Sequence, residues 1–413
     1  MKIAKAYFVS ADHNFVYGLM AVAVSIFVFA YSTRFGPVSI LAYYALWLPL
    51  VLIDYRHVLG NYARFSWIIA FGLLAVLSLF WSDAPGVSAR AGVQYMSHIV
   101  CALIAARIVN IRTMTLGGLI GISLVVLYSL AFGEYHYDPI DGEYSFVGAF
   151  SSKNQLGFFS SLGIYFAFAC IFILRERGFW SLLGLACAGL CGYTLIASQS
   201  ATSIIAVAAT LAVMVVLGIM FLFAPRVRKV LLLGALLLGL GLTVVGLNLG
   251  GLDVLLGAFG KDATLTGRTY LWSEGIAAAG QAPLFGVGYQ AYWVQGFSEA
   301  ERLWEEFYIG TRSGFHFHNT YIEVLVELGI AGLVLLCLLV IRVTAGHLMR
   351  VLDDHEDRTA HAMFGLALML LVRSFFEVDV INPYVVGSFL LYYAAGLLAN
   401  RRAPLHRPVF RAA

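Results

Sequence analysis

A chain of 413 residues that is 61% hydrophobic and 12% charged, with a mean hydropathy of +0.85, cannot hide its apolar surface inside a water-soluble globule and is expected to be an all-α polytopic membrane protein. Its formal charge of +3 is too small and too spread along the chain to suggest nucleic-acid binding. The five cysteines, Cys101, Cys170, Cys187, Cys191 and Cys337, fall inside apolar runs without paired or zinc-like spacing, so they read as small buried hydrophobes.

In chain order, the first apolar run is not followed by a small-residue cleavage site, so it reads as a retained helix. Apolar runs long enough to cross a hydrocarbon core of about 30 Å lie at 15–32, 37–53, 66–81, 92–109, 114–132, 156–174, 179–197, 201–223, 230–252, 320–345, 360–378 and 383–400. They predict about twelve transmembrane helices. Their unbroken hydrophobicity argues against a β-barrel, whose strands alternate. The chain divides into spans 1–9 over residues 1–252, a large mostly polar loop over 253–319, and spans 10–12 with a cytoplasmic tail over 320–413.

Lys and Arg asymmetry sets the orientation. With the N-terminus inside, cytoplasmic segments hold 18 of the 26 basic residues, and the large loop between spans 9 and 10 faces outward. In a bacterial inner membrane this is the periplasm. A second outer loop, 133–155, ends in Lys153-Asn154, where the chain re-enters the membrane.

The large loop carries Arg268 and Arg312 and closes in Phe315-His316-Phe317-His318-Asn319. A chain this apolar that keeps one long loop rich in Arg, His, Glu and Trp is holding its chemistry there. Topology gathers Arg90, Lys153, Arg268, Arg312, His316, His318, Arg373 and Glu377 at the outer surface. Such cations suit a phosphate-bearing ligand held against the membrane, of which a lipid-linked diphosphate is the obvious class. If the diphosphate leaves, fixed cations stabilise the developing charge.

Histidine titrates near neutrality and can take a proton from an attacking hydroxyl. His318 is preferred over His316 because Asn319 and the helix start can fix its orientation. Arg373 and Glu377, four residues apart, can pair on one helix face, either as ligand contacts or as glue between helices. Arg90 and Lys153 also read as interfacial anchors. His98 reads as a hydrogen-bonded packing residue. A metal is not expected, since His316 and His318 find no third ligand in a recognised pattern. Gly286-Val287-Gly288 reads as a tight turn, with no strand-turn-helix context for a phosphate loop.

Four stretches in order, Arg268-Thr269-Tyr270-Leu271-Trp272, Pro283-Leu284-Phe285-Gly286-Val287-Gly288, His318-Asn319-Thr320-Tyr321-Ile322-Glu323 and Glu327-Leu328-Gly329-Ile330-Ala331-Gly332-Leu333, resemble the signature region of the O-antigen ligase and O-antigen polymerase superfamily. Trp81-Ser82 with Pro85 and Arg90, Phe150 with Lys153-Asn154 and Gly157, and Ser198-Gln199-Ser200-Ala201-Thr202 are similar to its exopolysaccharide polymerase branch. The resemblance spans about residues 66–400. It implies a metal-independent, cofactor-free glycosyltransferase of the inner membrane that acts at the periplasmic face on undecaprenyl-diphosphate-linked oligosaccharide. Arg268 would contact the diphosphate and His318 would be the base. The implied reaction is polymerisation of repeat units, to which Lys153-Asn154 tips the reading, with a possible chain-length regulator as partner. The alternatives are ligation of the glycan to lipid A core and, from another class, transport of a lipid-linked glycan.

Overall fold

A computed structural model describes residues 4–60, 62–138, 142–248 and 267–400. The end of the ninth apolar run, the first part of the large loop with Lys261, and the basic tail beyond Asn400 lie outside the described residues, as does the expected boundary at 252/253.

Each of the twelve apolar runs coincides with helix. In chain order the helices are α1 (Ala6–Val9), α2 (Phe15–Phe35), α3 (Pro37–Trp47), α4 (Leu50–Leu59), α5 (Ser66–Leu77), α6 (Pro85–Ile108), α7 (Ile111–Phe132), α8 (Lys153–Phe168), α9 (Phe179–Ser198), α10 (Ala201–Met220), α11 (Pro225–Asn248), α12 (Arg268–Ala279), α13 (Ser298–Glu306), α14 (Thr320–Asp353), α15 (Arg358–Ser374) and α16 (Val386–Asn400). Among the described residues, eight helices are long and apolar enough to cross a membrane, or nine if α3 and α4, bent by 58°, form one span. The three expected spans outside that count are α11, whose apolar run extends beyond the described residues, and the shorter α15 and α16, with 17 and 15 residues. This is an all-α polytopic membrane protein.

The second outer loop is not wholly irregular. Glu134–Asp138 and Glu143–Gly148 form an antiparallel hairpin, in which the rings of Tyr135 and Tyr144 stack with centroids 5.6 Å apart. Alternating tyrosines give a pleated ribbon an aromatic face. Inside the bundle, His98 is fully buried between the Tyr43 hydroxyl at 3.0 Å and the Val385 carbonyl at 3.2 Å, the packing role its setting suggested. Four cysteines are buried and all five are free thiols.

The 34-residue helix α14 is broken at Gly329, where φ is +62° and ψ −163°, a conformation open essentially to glycine alone. A break inside an apolar span exposes backbone groups that lipid cannot satisfy. Here the loop segment from Pro283 to Gly288 satisfies them. Val287 and Gly288 donate to the carbonyls of Val326 and Glu327 at 3.0 and 2.9 Å, and Ile330 and Ala331 donate to Pro283 and Leu284 at 2.9 and 3.1 Å. The backbones meet so closely that a Cβ on Gly329 would lie 2.4 Å from the Leu284 carbonyl carbon, and one on Gly286 would lie 2.3 Å from that of Glu327. The expected tight turn at Gly286-Val287-Gly288 is thus the strip that seals the broken helix. Trp81 adds a hydrogen bond from its indole to the Phe285 carbonyl at 3.0 Å.

Candidate active site

Sealing the break fixes the loop against α14, and the residues just before α14 then fold onto the end of α15. Asn319 caps α14, its side chain accepting from Tyr321 and Ile322 at 3.0 and 3.2 Å and donating to the Phe375 carbonyl at 3.1 Å. Thr320 donates its hydroxyl to the Glu377 carbonyl at 2.6 Å. Glu323, one turn on, accepts from the Phe317 amide at 2.8 Å and the Trp293 indole at 2.9 Å. Trp272 of α12 donates to the Phe317 carbonyl at 2.9 Å. The histidine segment is therefore gripped on both sides. His318 itself sits at φ +51°, the left-handed turn that swings it out of line with the helix.

Glu377 is the centre of what results. Arg268, the first residue of α12, reaches its Oε1 at 3.0 Å and the Phe376 carbonyl at 2.8 Å. Asn154, at the head of α8, donates to the same Oε1 at 2.8 Å. His318 Nδ1 faces the other oxygen, Oε2, across 3.5 Å, an ion-pair approach and not a formed hydrogen bond. Burial pushes the Glu377 carboxyl up, but Arg268 and then His318 more than offset it and hold it well below the usual carboxylate range. It is a buried anion with cationic and imidazole neighbours.

His316 packs against His318, ring centroids 4.3 Å apart, and its Nδ1 accepts from the His318 amide at 3.1 Å. Burial, then the neighbouring His318, lowers its pKa to about 3. It is therefore a neutral imidazole at pH 7 with its proton on Nε2.

The expected pairing of Arg373 with Glu377 is corrected. Helix α15 ends at Ser374, so residue 377 lies past the helix and turns its side chain toward Arg268. Arg373, 1% exposed, instead binds Asp379 at 2.6 Å and the Ser203 hydroxyl at 2.7 Å. A chain of bonds still links the two. Ser200 donates its hydroxyl to the Asn154 side-chain oxygen at 2.9 Å, and its oxygen lies 2.9 Å from the Ser203 hydroxyl.

Arg268, His316, His318 and Glu377 thus converge, with half-buried Lys153 heading α8 immediately before Asn154. Arg312 lies in a separate exposed patch, paired with Glu301 at 2.7 Å and Glu305 at 3.6 Å. Arg90 is exposed on α6 and makes no ion pair among the described residues. Sequence reasoning assigned no role to Asn154, Ser200, Ser203, Trp272, Glu323 or Asp379. Their one signal was that Asn154, Ser200, Trp272 and Glu323 stand inside the recognised stretches.

His316, His318 and Glu377 offer ligand atoms within 4.8 Å of one another, so the third ligand missing from the sequence pattern comes from the segment that follows α15. Arg268 already holds that carboxylate at 3.0 Å, and its charge opposes a metal cation at the same place.

A family model described as O-antigen ligase matches residues 183–337, a stretch containing Arg268, His318 and the broken half of α14. The chain is also similar to the exopolysaccharide production protein ExoQ of Rhizobium meliloti (strain 1021), 57% identical over 402 residues that cover 97% of this chain and 92% of that protein.

Proposed function

Because the chain belongs to the O-antigen ligase and polymerase superfamily, within its exopolysaccharide branch, we propose that it polymerises undecaprenyl-diphosphate-linked repeat units at the periplasmic face of the inner membrane without a metal. The observation that carries this reading is Glu377, tied to Arg268 on one oxygen and facing His318 on the other.

In the proposed reaction the guanidinium of Arg268 is a phosphate ligand whose orientation Glu377 and the Phe376 carbonyl fix in advance. Glu377 faces His318 Nδ1 and favours the tautomer protonated there, leaving Nε2 as the base. A hydroxyl of one repeat unit attacks the anomeric carbon of another. Its proton passes to His318 Nε2, the bond to diphosphate breaks, and the diphosphate leaves as an anion facing Arg268 and Lys153. Charge developing on the leaving group strengthens these contacts in the transition state, which is the condition for catalysis. Arg90, Arg312 and Arg373 do not share this cluster; Arg373 acts from below, through Ser203, Ser200 and Asn154, as a positioning residue.

The ligase reading uses the same chemistry with a lipid A core acceptor, and the description of the matching family model favours it as the second choice. Transport fits less well, since transporters place ionisable groups near mid-membrane, whereas these gather at one end of the bundle.

Purified protein incubated with lipid-linked oligosaccharide, with and without lipid A core, separates the three. Longer lipid-linked chains without core support the polymerase; glycan appearing only on core supports the ligase; no turnover with either overturns both.

A further inference from the structure

At the end of the bundle away from Glu377, a cavity of about 430 Å³ opens between α8, α10 and α15. The three helices fix its position. Their other ends supply Asn154, Ser203 and Arg373 to the network described above, whereas Ile173, Met214 and Arg358 line the cavity. We propose that it binds the phosphate headgroup of an anionic membrane lipid.

Its polar part is basic. The Arg175 guanidinium makes no ion pair or hydrogen bond among the described residues, and Arg358 uses one nitrogen on the Leu174 carbonyl at 3.1 Å. Both forks keep donors free for phosphate oxygens. His361 turns a buried Nε2 without a hydrogen-bond partner among the described residues. The one carboxylate in the lining, Glu356, is 66% exposed and lies 3.4 Å from His355.

The remaining wall is apolar, with Ile173 and Met214 inside and Phe172 66% exposed along the flank of the bundle. A free phosphate ion has no use for that wall, but acyl chains descending from a headgroup do. Basic pockets between transmembrane helices at headgroup depth favour such lipids. The proposal rests on the membrane-spanning bundle and is independent of the glycosyl-transfer reading.

The full chain in neutral detergent is unfolded thermally with phosphatidylglycerol, phosphatidylcholine or inorganic phosphate added. Phosphatidylglycerol is expected to raise the midpoint by about 3 °C or more, as ligand binding to the folded state does, and phosphatidylcholine is not. Arg175→Gln should lose at least half of that shift, Arg175→Lys should keep it, and the control Arg56→Gln should leave it unchanged. Native mass spectrometry should show one phosphatidylglycerol retained by the wild type and lost by Arg175→Gln. Equal shifts from both lipids, or an Arg175→Gln variant that responds fully, would overturn the site; a full shift from inorganic phosphate would overturn the lipid.

Discussion

Replacing Glu377 by Gln keeps the side chain's size and removes the negative charge that Arg268 and His318 share. Breaking a buried ion pair from one side costs on the order of 3 kcal/mol, so Glu377→Gln should lower both the unfolding midpoint and polymer synthesis. His318→Ala should behave differently, lowering turnover by about 10² to 10⁴ with the midpoint nearly unchanged. Equal loss of stability in the two variants would mean that His318 is structural. Acid should act through the same cluster. Glu377 and His316 both titrate below their ordinary values, so on acidification the unfolded chain takes up protons first. The stability they confer is intact above the ordinary histidine value of 6.5, falls as the pH drops toward about 3, and falls further through the carboxylate range. Midpoints measured from pH 7.5 to 4 should therefore decline, and His316→Gln should flatten the upper part of the curve; a wild-type midpoint constant over that range would contradict the assignment. Of these residues, His318 and Arg268 were legible because each stands at a helix start within a recognised stretch. The partner of Glu377 was not, because four-residue spacing predicts a pairing only while the helix continues, and α15 stops at Ser374.

At the scale of elements, the long apolar runs showed through because hydrophobic length is what a bilayer selects. The break in α14 did not, since a glycine alone does not announce one: Gly332, three residues on, stands in unbroken helix. Only the folded chain shows that the Pro283–Gly288 strip supplies the missing backbone partners. Gly329→Ala would force a non-glycine residue into that conformation, at about 1–3 kcal/mol, and drive its methyl into the Leu284 backbone. The variant should lose activity with loosening of the loop while α15 stays in place. Faster amide exchange confined to Gly286–Gly288 and Ile330–Ala331 would report it, and unchanged exchange there would refute the seal. Glu323→Gln tests the other grip: the Phe317 amide and the Trp293 indole reach different carboxylate oxygens, Gln replaces one of these with an NH2 donor, and one unmet donor costs about 1–3 kcal/mol. Its expected signature is a roughly tenfold fall in turnover.

For the whole molecule, the Glu377 cluster and the Arg175 cavity lie at opposite ends of the bundle, and the charge asymmetry of the sequence predicts that the first faces the periplasm. Cysteine introduced at exposed Ser151, beside the head of α8, should react with a membrane-impermeant thiol reagent in intact cells. Cysteine at Glu356 should react only after permeabilisation. The reverse pattern would invert the orientation and end the proposed periplasmic chemistry. A chelator should leave turnover unchanged, and loss of activity restored by a divalent cation would instead give His316, His318 and Glu377 a metal to hold.

Asn154, Arg268, His318 and Glu377 enter the nascent chain in that order, so the cluster has no closing carboxylate until synthesis is almost finished. A ribosome stalled in the turn between α14 and α15 should therefore leave a product that is inert. Residues 1–355 and 356–413, produced as two fragments, should each be silent alone and regain polymer synthesis when made together in one cell.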